Sequence, residues 1–379
     1  MVNYAVIGAG FGGLTAAQLL RKSDPDASIT LIAPKPEFVY YPSLIWVPTK
    51  LRKAEDLVIP LDHFLAANRI DFHQGAVTGL AQGGRSVVTD RGDVTNDGLI
   101  IASGGRFIRK LPGIENAIVP CSGTAEAQQI HDRLHAMMES GGGTIAMGFG
   151  GNPKEPSGVR GGPIFEFLFG IDTYLRQQKQ RDQFKLVFFS PAPKPGIRMG
   201  EKAVQRLLGE MAKRDIETHL GHKMKAFEDG QVVTEGSAFS TDLILFMPGL
   251  TGPAWVQDSG LPLSPGGMVQ ADMHCKIEGW EKTYVVGDTG SYAGGPDWMP
   301  KQAHMADLQA KAAVQNLTAE LAGEPADHTF RVELICIVDT LSSGTMVYRD
   351  TKRNLQFPMS VFGHWSKRWF ERHYLKAFR

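Results

Sequence analysis

Tyr4-Ala5-Val6-Ile7-Gly8-Ala9-Gly10-Phe11-Gly12-Gly13 decides how the rest of the chain is read. Four apolar residues predict a short buried strand, and the glycines predict a turn. Leu14 to Lys22 carries a helical pattern, and Ile29-Thr30-Leu31-Ile32 reads as a second strand. Together they form a βαβ unit with its glycines at the first turn. Gly8 permits the tight turn, Gly10 lets backbone amides approach a pyrophosphate, and Gly13 lets the helix pack on the strand. The helix N-terminus then offers its partial positive charge to phosphate. An acid that would bind a ribose at the end of the second strand is missing. The chain reads Ala33-Pro34-Lys35 there, so a ribose contact falls to the backbone or to Lys35.

Outward from this unit, 36–60 is irregular and aromatic-rich, followed by a helix near 61–68 and short strands near 70–73 and 86–89. A buried strand at 98–102 ends in Ala102-Ser103-Gly104-Gly105. A second α/β unit begins near 119, with helices at 123–139, 163–178 and 200–214 between strands at 144–147, 184–189 and 243–246. From about 250 the chain returns to the first unit through Thr283-Tyr284-Val285-Val286-Gly287-Asp288 and a helix at 300–322. The tail carries strands at 331–338 and 344–348 and a basic aromatic helix at 363–378. Alternating strands and helices predict parallel, doubly wound sheets. The expected class is therefore α/β, with two Rossmann-like dinucleotide-binding domains and a small C-terminal α+β domain. The domains are expected at 1–118 plus 250–325, 119–249, and 326–379.

Composition narrows the function. Of 379 residues 42% are hydrophobic, and net charge is +0, so no global field favours nucleic acid. Met1 is followed almost directly by a strand, without the basic head and apolar core of a leader. No apolar run of about eighteen residues exists. A cytoplasmic location is the expectation. Cys121, Cys275 and Cys336 are too few for a disulfide scaffold, and their spacing fits no zinc site, so no metal is expected.

Gly8–Gly13, then Ala102-Ser103-Gly104 with Leu111-Pro112-Gly113, then Val286-Gly287-Asp288 stand in the order seen in two-dinucleotide-fold flavoproteins. Within that superfamily the chain resembles the sulfide:quinone oxidoreductases and flavocytochrome c sulfide dehydrogenases. The matches are Tyr41-Pro42-Ser43-Leu44-Ile45-Trp46, Pro120-Cys121, Met299-Pro300-Lys301, Cys336-Ile337-Val338-Asp339 and Phe370-Glu371-Arg372-His373-Tyr374-Leu375. The resemblance implies FAD as cofactor, with Asp288 on its ribityl chain and Lys301 near the N1–O2 edge of the ring, where a cation stabilises the reduced form. Gly8, Gly10, Phe11, Gly12, Gly13, Lys35, Pro42, Val77, Ala102, Ser103, Gly104 and Gly287 complete the expected cofactor contacts.

In that family two cysteines at the flavin form a disulfide that sulfide attacks. Cys336 matches one of them. Arg160 stands where the other is expected, while Cys121 matches a third and Cys275, placed on a strand, reads as structural. Cys336 is therefore expected to act alone, as a thiolate lowered by Arg160 or Lys301, or the sulfur chemistry is lost; a Cys121–Cys336 bridge is a further option. The second unit reads Gly148-Phe149-Gly150-Gly151-Asn152-Pro153-Lys154-Glu155-Pro156, and its next strand ends in Ser190-Pro191 with no acid. A nicotinamide site is expected to be gone. Electrons are expected to pass from a sulfur compound through FAD to quinone or another acceptor. The competing readings are an NAD(P)H:acceptor oxidoreductase like type II NADH dehydrogenase and a non-catalytic flavin-binding subunit.

In the terminal helix Trp365, Trp369 and His373 adjoin Phe370, Tyr374 and Phe378. Lys367, Arg368, Arg372, Lys376 and Arg379 are opposed only by Glu371. Such a face suits peripheral attachment to the inner side of a membrane or packing against another domain or a second copy in a homo-oligomer.

Overall fold

The computed structural model describes residues 1–378; Arg379, counted above among the cations of the tail, lies outside the described residues. Seven α-helices lie among the described residues: α1 (Phe11–Ser23), α2 (Asp62–Asn68), α3 (Thr124–Glu139), α4 (Gly162–Gln177), α5 (Glu201–Lys213), α6 (Ala303–Ala322) and α7 (Ser360–Leu375).

Two five-stranded parallel sheets organise them, in keeping with the α/β class. The first runs in the order Thr283–Val285, Gly98–Ile101, Asn3–Ile7, Ser28–Ala33, Asp71–Gln74. Val6 pairs with Leu31 on one side and Ile100 on the other. The central strands are largely apolar because both faces are covered: Leu14, Ala17 and Leu20 of α1 and Ala310, Ala313 and Leu317 of α6 are fully buried in one core. The edge strand Asp71–Gln74 is polar and only partly buried. The second sheet runs Ala117–Ile118, Leu243–Met247, Gly143–Phe149, Phe184–Ser190, Ile216–Leu220. Its α4 side is anchored by a fully buried carboxylate: Asp172 accepts from Arg181 Nε at 2.6 Å, Arg214 Nη1 at 2.9 Å and Arg176 Nε at 3.0 Å.

Several local expectations change. The 36–60 segment holds paired strands, Glu37–Val39 and Val58–Pro60, around a 3-10 turn at Tyr41–Trp46. Cys275 lies in a turn, at φ 63°, and not on a strand. The tail is a three-stranded antiparallel sheet, Glu333–Asp339, Gly344–Asp350 and Asn354–Met359, whose last strand the sequence reading omitted.

The aromatic face of α7 also divides. Tyr374 packs on Phe11, Phe38 and Tyr40, and Phe378 packs on Phe38 and Phe64, locking the tail onto the first unit. Phe362, Trp365, Trp369 and Phe370 stay exposed. Two of the charges read as part of that face are held in pairs: Lys367 with Glu166 of α4, and Glu371 with Arg52.

Candidate active site

The first sheet delivers its three motifs to one place, because each follows the carboxyl end of a strand. Gly8, at φ 106°, lies so close to the neighbouring turn that a Cβ there would stand 2.3 Å from Ala102 O. At Gly13 a Cβ would be 1.8 Å from Gly8 O, which is the strand–helix contact expected of that glycine. Gly12 has a role the sequence did not give it: a Cβ would strike Val286 Cγ1 at 2.6 Å. Gly10 has nothing within 4 Å, leaving open space over the N-terminus of α1. Thr289 Oγ1 donates to Gly104 O at 2.9 Å, joining the second motif to the third. Gly287 N donates to Gln309 Oε1 at 2.9 Å, which fixes the start of the Gly-Asp turn.

Asp288 and Lys301 meet here, and so does Arg160. Arg160 Nη2 pairs with Asp288 Oδ2, and Lys301 Nζ donates to the carbonyls of Gly290 and, at 3.4 Å, Asp288. Burial pushes the Lys301 ammonium down to about 8; Asp288 and Glu155 oppose this, while Arg160 and Arg198 reinforce it. Glu155 is a member the sequence reading missed. Burial alone would raise its pKa, but the hydroxyls of Ser157, Ser264 and Ser291 hold it below the usual carboxylate range. Ser157 Oγ donates to Glu155 Oε1 at 2.6 Å. The only signal in the sequence was its place in the two-proline loop, 152–156.

The remaining expected contacts lie farther out. Phe11 points into the aromatic cluster with Phe38 and Tyr374. Pro42 is on the 3-10 turn after the second strand, beside Tyr41, whose ionisation is influenced by Arg160 and Cys121. Lys35 is exposed and stands 3.9 Å from Glu37. Val77, half-buried, opens the strand Val77–Ala81. Both follow strands on the outer half of the first sheet, next to Gly8 through Gly8 N→Ile32 O and Gly75 N→Ala33 O.

The cysteines require a correction. All three are free thiols. Cys336 is not lowered by Arg160 or Lys301: burial pushes it up to about 12, Glu166 adds to this, and Lys367 opposes. Cys121 is likewise pushed up to about 12 by burial, with Arg160 the leading opposing charge. Near neutral pH both are protonated thiols, held around the Glu166–Lys367 pair. That pair extends through Asp339 N→Glu166 Oε1 at 3.0 Å, and Asp339 in turn receives Trp46 Nε1 at 2.8 Å.

The second sheet shows why its glycine-rich loop differs. Phe149 occupies the space beside Gly161, where a Cβ would be 2.6 Å from the ring, and it packs against Phe165 and Phe188. Gly162, the first residue of α4, has nothing within 4 Å.

The first site fits a flavin dinucleotide. Its open glycine turn faces a helix N-terminus, and two buried acceptor or donor atoms, Ser103 Oγ and Gln302 Oε1, have no protein partner. Gln302 follows Lys301 directly and was legible only as its neighbour. Among the described residues no cluster of His, Cys, Asp and Glu could hold a metal, and no helix is long and apolar enough to cross a membrane.

Comparison with known proteins agrees with this geometry. The sulfide-quinone reductase of Aquifex aeolicus is 25% identical over 396 residues, spanning 98% of this chain and 90% of that protein. The crystal structure of the sulfide:quinone oxidoreductase of that bacterium superposes with a TM-score of 0.91 at 24% identity, covering 100% of this chain and 92% of the other. The type II NADH:quinone oxidoreductase Ndh of Mycobacterium tuberculosis is 26% identical over 354 residues, covering 85% of this chain and 73% of that protein. Residues 2–310 match the pyridine nucleotide-disulphide oxidoreductase family. The chain belongs to that family, and it is an FAD-dependent oxidoreductase.

Proposed function

We propose that the protein takes electrons from a sulfur compound and passes them through FAD to quinone or another acceptor. The observation that carries this reading is the loop 150–161 between the strand Gly143–Phe149 and α4, which runs through Pro153 and Pro156 where a nicotinamide site has a tight glycine turn. The full-length likeness to sulfide-quinone reductase supports the sulfur donor over NADH. Bound FAD supplies two-electron acceptance. The chain's own part is to hold a ribityl chain with Asp288, to set Lys301 against the ring, and to keep the first turn of α1 open for the pyrophosphate. On this reading residues 1–118 and 250–325 form the FAD-binding domain.

Arg160 changes how a donor is met. A guanidinium cannot exchange with a disulfide, and Cys336 stays protonated. An anionic donor therefore meets the cations Arg160 and Lys301.

For the acceptor, the exposed Phe362, Trp365, Trp369 and Phe370 on α7, flanked by Arg368, Arg372 and Lys376, suit peripheral attachment to an anionic inner leaflet. A second copy of the chain on that face is the alternative. Co-sedimentation with anionic vesicles, compared with sedimentation velocity of the protein alone, separates the two.

Anaerobic stopped-flow reduction tests the redox proposal. Sulfide or polysulfide should bleach the bound flavin, and NADH should do so far more slowly. Rapid bleaching by NADH, with none by sulfur compounds, overturns it.

A further inference from the structure

The segment 293–302 joins the strand Gly290–Tyr292 to α6 and carries Lys301 near its end. Gly294, at φ 83°, and Gly295 leave its first half free to bend. Ala293 and Gly294 are exposed, whereas Met299 and Pro300 are buried. Inside the segment Met299 N donates to Pro296 O at 2.9 Å. Two distant parts of the chain then close on this turn.

Arg349, on the middle strand of the C-terminal sheet, lies with its guanidinium 4.4 Å from the centre of the Trp298 ring. Its Nη1 donates to Arg198 O at 2.6 Å. Arg198 belongs to the 3-10 turn Ile197–Met199 ahead of α5, and its own Nη1 donates to Met299 O at 3.3 Å and to Ser157 O at 3.4 Å. The same turn meets the last strand of the C-terminal sheet: at Gly200, φ 98°, a Cβ would stand 2.1 Å from Asn354 Nδ2. Trp298 and Met299, three and two residues before Lys301, are therefore held by Arg349 directly and by Arg349 acting through Arg198.

Arginine suits such a bracket, because its planar fork gives one edge to a carbonyl while its flat face lies on an indole. Burial lowers both guanidiniums, so these contacts are kept against a cost of desolvation. Neither Arg349 nor Trp298 lines the cavity of Asp288, Lys301 and Gln302. Whatever they do there passes through the backbone of 298–301. Lys301 Nζ donates to the carbonyls of Gly290 and Asp288, and those bonds require its backbone to stay in one place.

We propose that Arg349 is a positioning residue: through Trp298 and Arg198 it fixes the turn 296–301 and so holds the Lys301 ammonium against the flavin ring. This rests on the placement of Lys301 proposed above, and it is independent of which donor reduces the flavin.

Equilibration of the FAD-loaded protein with redox dyes of known potential tests it. A cation held at the ring stabilises the reduced flavin, so Arg349→Gln should weaken reduction about tenfold in equilibrium constant, a fall of about 30 mV for a two-electron couple. Trp298→Leu should act in the same direction and covers the case in which Arg349→Gln does not fold. Arg349→Lys, which keeps a cation on the indole and a donor for the carbonyl, should recover most of the loss. Adding Arg349→Gln to Lys301→Met should shift the potential no further than Lys301→Met alone, because both changes act through one ammonium. In the apoprotein, hydrogen exchange of the amides in 297–302 should be at least tenfold faster in Arg349→Gln, with α1 unchanged. Equal potentials in wild type and Arg349→Gln, where Lys301→Met does shift the potential, overturn the positioning role even if exchange quickens. A full Arg349→Gln shift that persists in the Lys301→Met background overturns it as well. Lys301→Met without effect on the potential instead overturns the placement of Lys301 at the flavin, and exchange alone then decides whether Arg349 holds the turn.

Discussion

Lys301 is a charged group held where charge is disfavoured, and replacing it with methionine should make the protein more stable while harming its chemistry. The folded ammonium titrates at about 8 against an ordinary 10.5, chiefly because it is buried. At about 1.4 kcal/mol per pH unit, that difference is worth about 3 kcal/mol. Unfolded Lys301 keeps its proton up to about pH 10.5, whereas the folded chain releases it near pH 8. Between those values the unfolded state binds more protons, so the penalty this residue imposes on folding is full below about pH 8 and is lifted as pH rises to about 10.5. Lys301→Met has no such titration. The gap in unfolding free energy, variant minus wild type, should therefore shrink by about 3 kcal/mol from pH 7 to pH 11. Urea unfolding followed by circular dichroism at half-unit intervals measures it. Taking the difference cancels the tyrosines, several of which also ionise high, Tyr4 at about 12 among them. A gap that is flat with pH, or one that widens, refutes the claim that burial dominates at this lysine. On the proposed placement of Lys301 beside the flavin, the same variant should also slow reduction of the cofactor.

Asp288→Ala should lower the FAD content of the purified protein without changing its circular dichroism; full flavin content would remove Asp288 from the cofactor site. Gly13→Ala places a methyl 1.8 Å from a backbone oxygen that cannot move aside, so a loss above about 4 kcal/mol or failure to fold is expected. Gly10→Ala meets no protein atom within 4 Å and should leave thermal stability nearly unchanged while weakening FAD binding, measured by titration of the apoprotein. Asp172→Asn strands Arg176, Arg181 and Arg214 around a neutral group, and chemical denaturation should show a loss of about 3–5 kcal/mol.

The first sheet was legible because its signals are local. Gly8, Gly10 and Gly13 sit within six residues of one another in a strand–turn–helix, and a backbone that must turn tightly and let a helix close on a strand has few other solutions. Asp288 was legible for the same reason, being two residues past an apolar strand. The C-terminal helix was read half correctly. Spacing placed Trp369 and Tyr374 on adjoining stripes, but periodicity cannot say which stripe meets Phe11, Phe38 and Tyr40, because that depends on a packing partner more than three hundred residues away in the chain. Lys367 and Glu371 read only as charges of that face, with nothing nearby to show that Glu166 and Arg52 are brought against them. The contact of Arg349 Nη1 with Arg198 O carried no signal at all, because it joins isolated arginines of two distant segments.

The substitution of Arg160 for a thiol is best understood through the charges it joins. Asp288 pairs with Arg160, and both Asp288 and Glu155 act on Lys301. Two cations therefore face two carboxylates in a largely buried space, with Glu155 held ionised by three serine hydroxyls. On the proposed reading Lys301 favours negative charge developing on a bound flavin. Arg160 also acts on Cys121, as its leading opposing charge, yet burial still keeps that thiol protonated. On the proposed reading such a site handles an anionic donor by electrostatics where a disulfide would have handled it by exchange. Arg160→Cys is then not a simple restoration: it removes the cation paired with Asp288 and places a new thiol in a setting that already keeps Cys121 and Cys336 protonated near neutral pH.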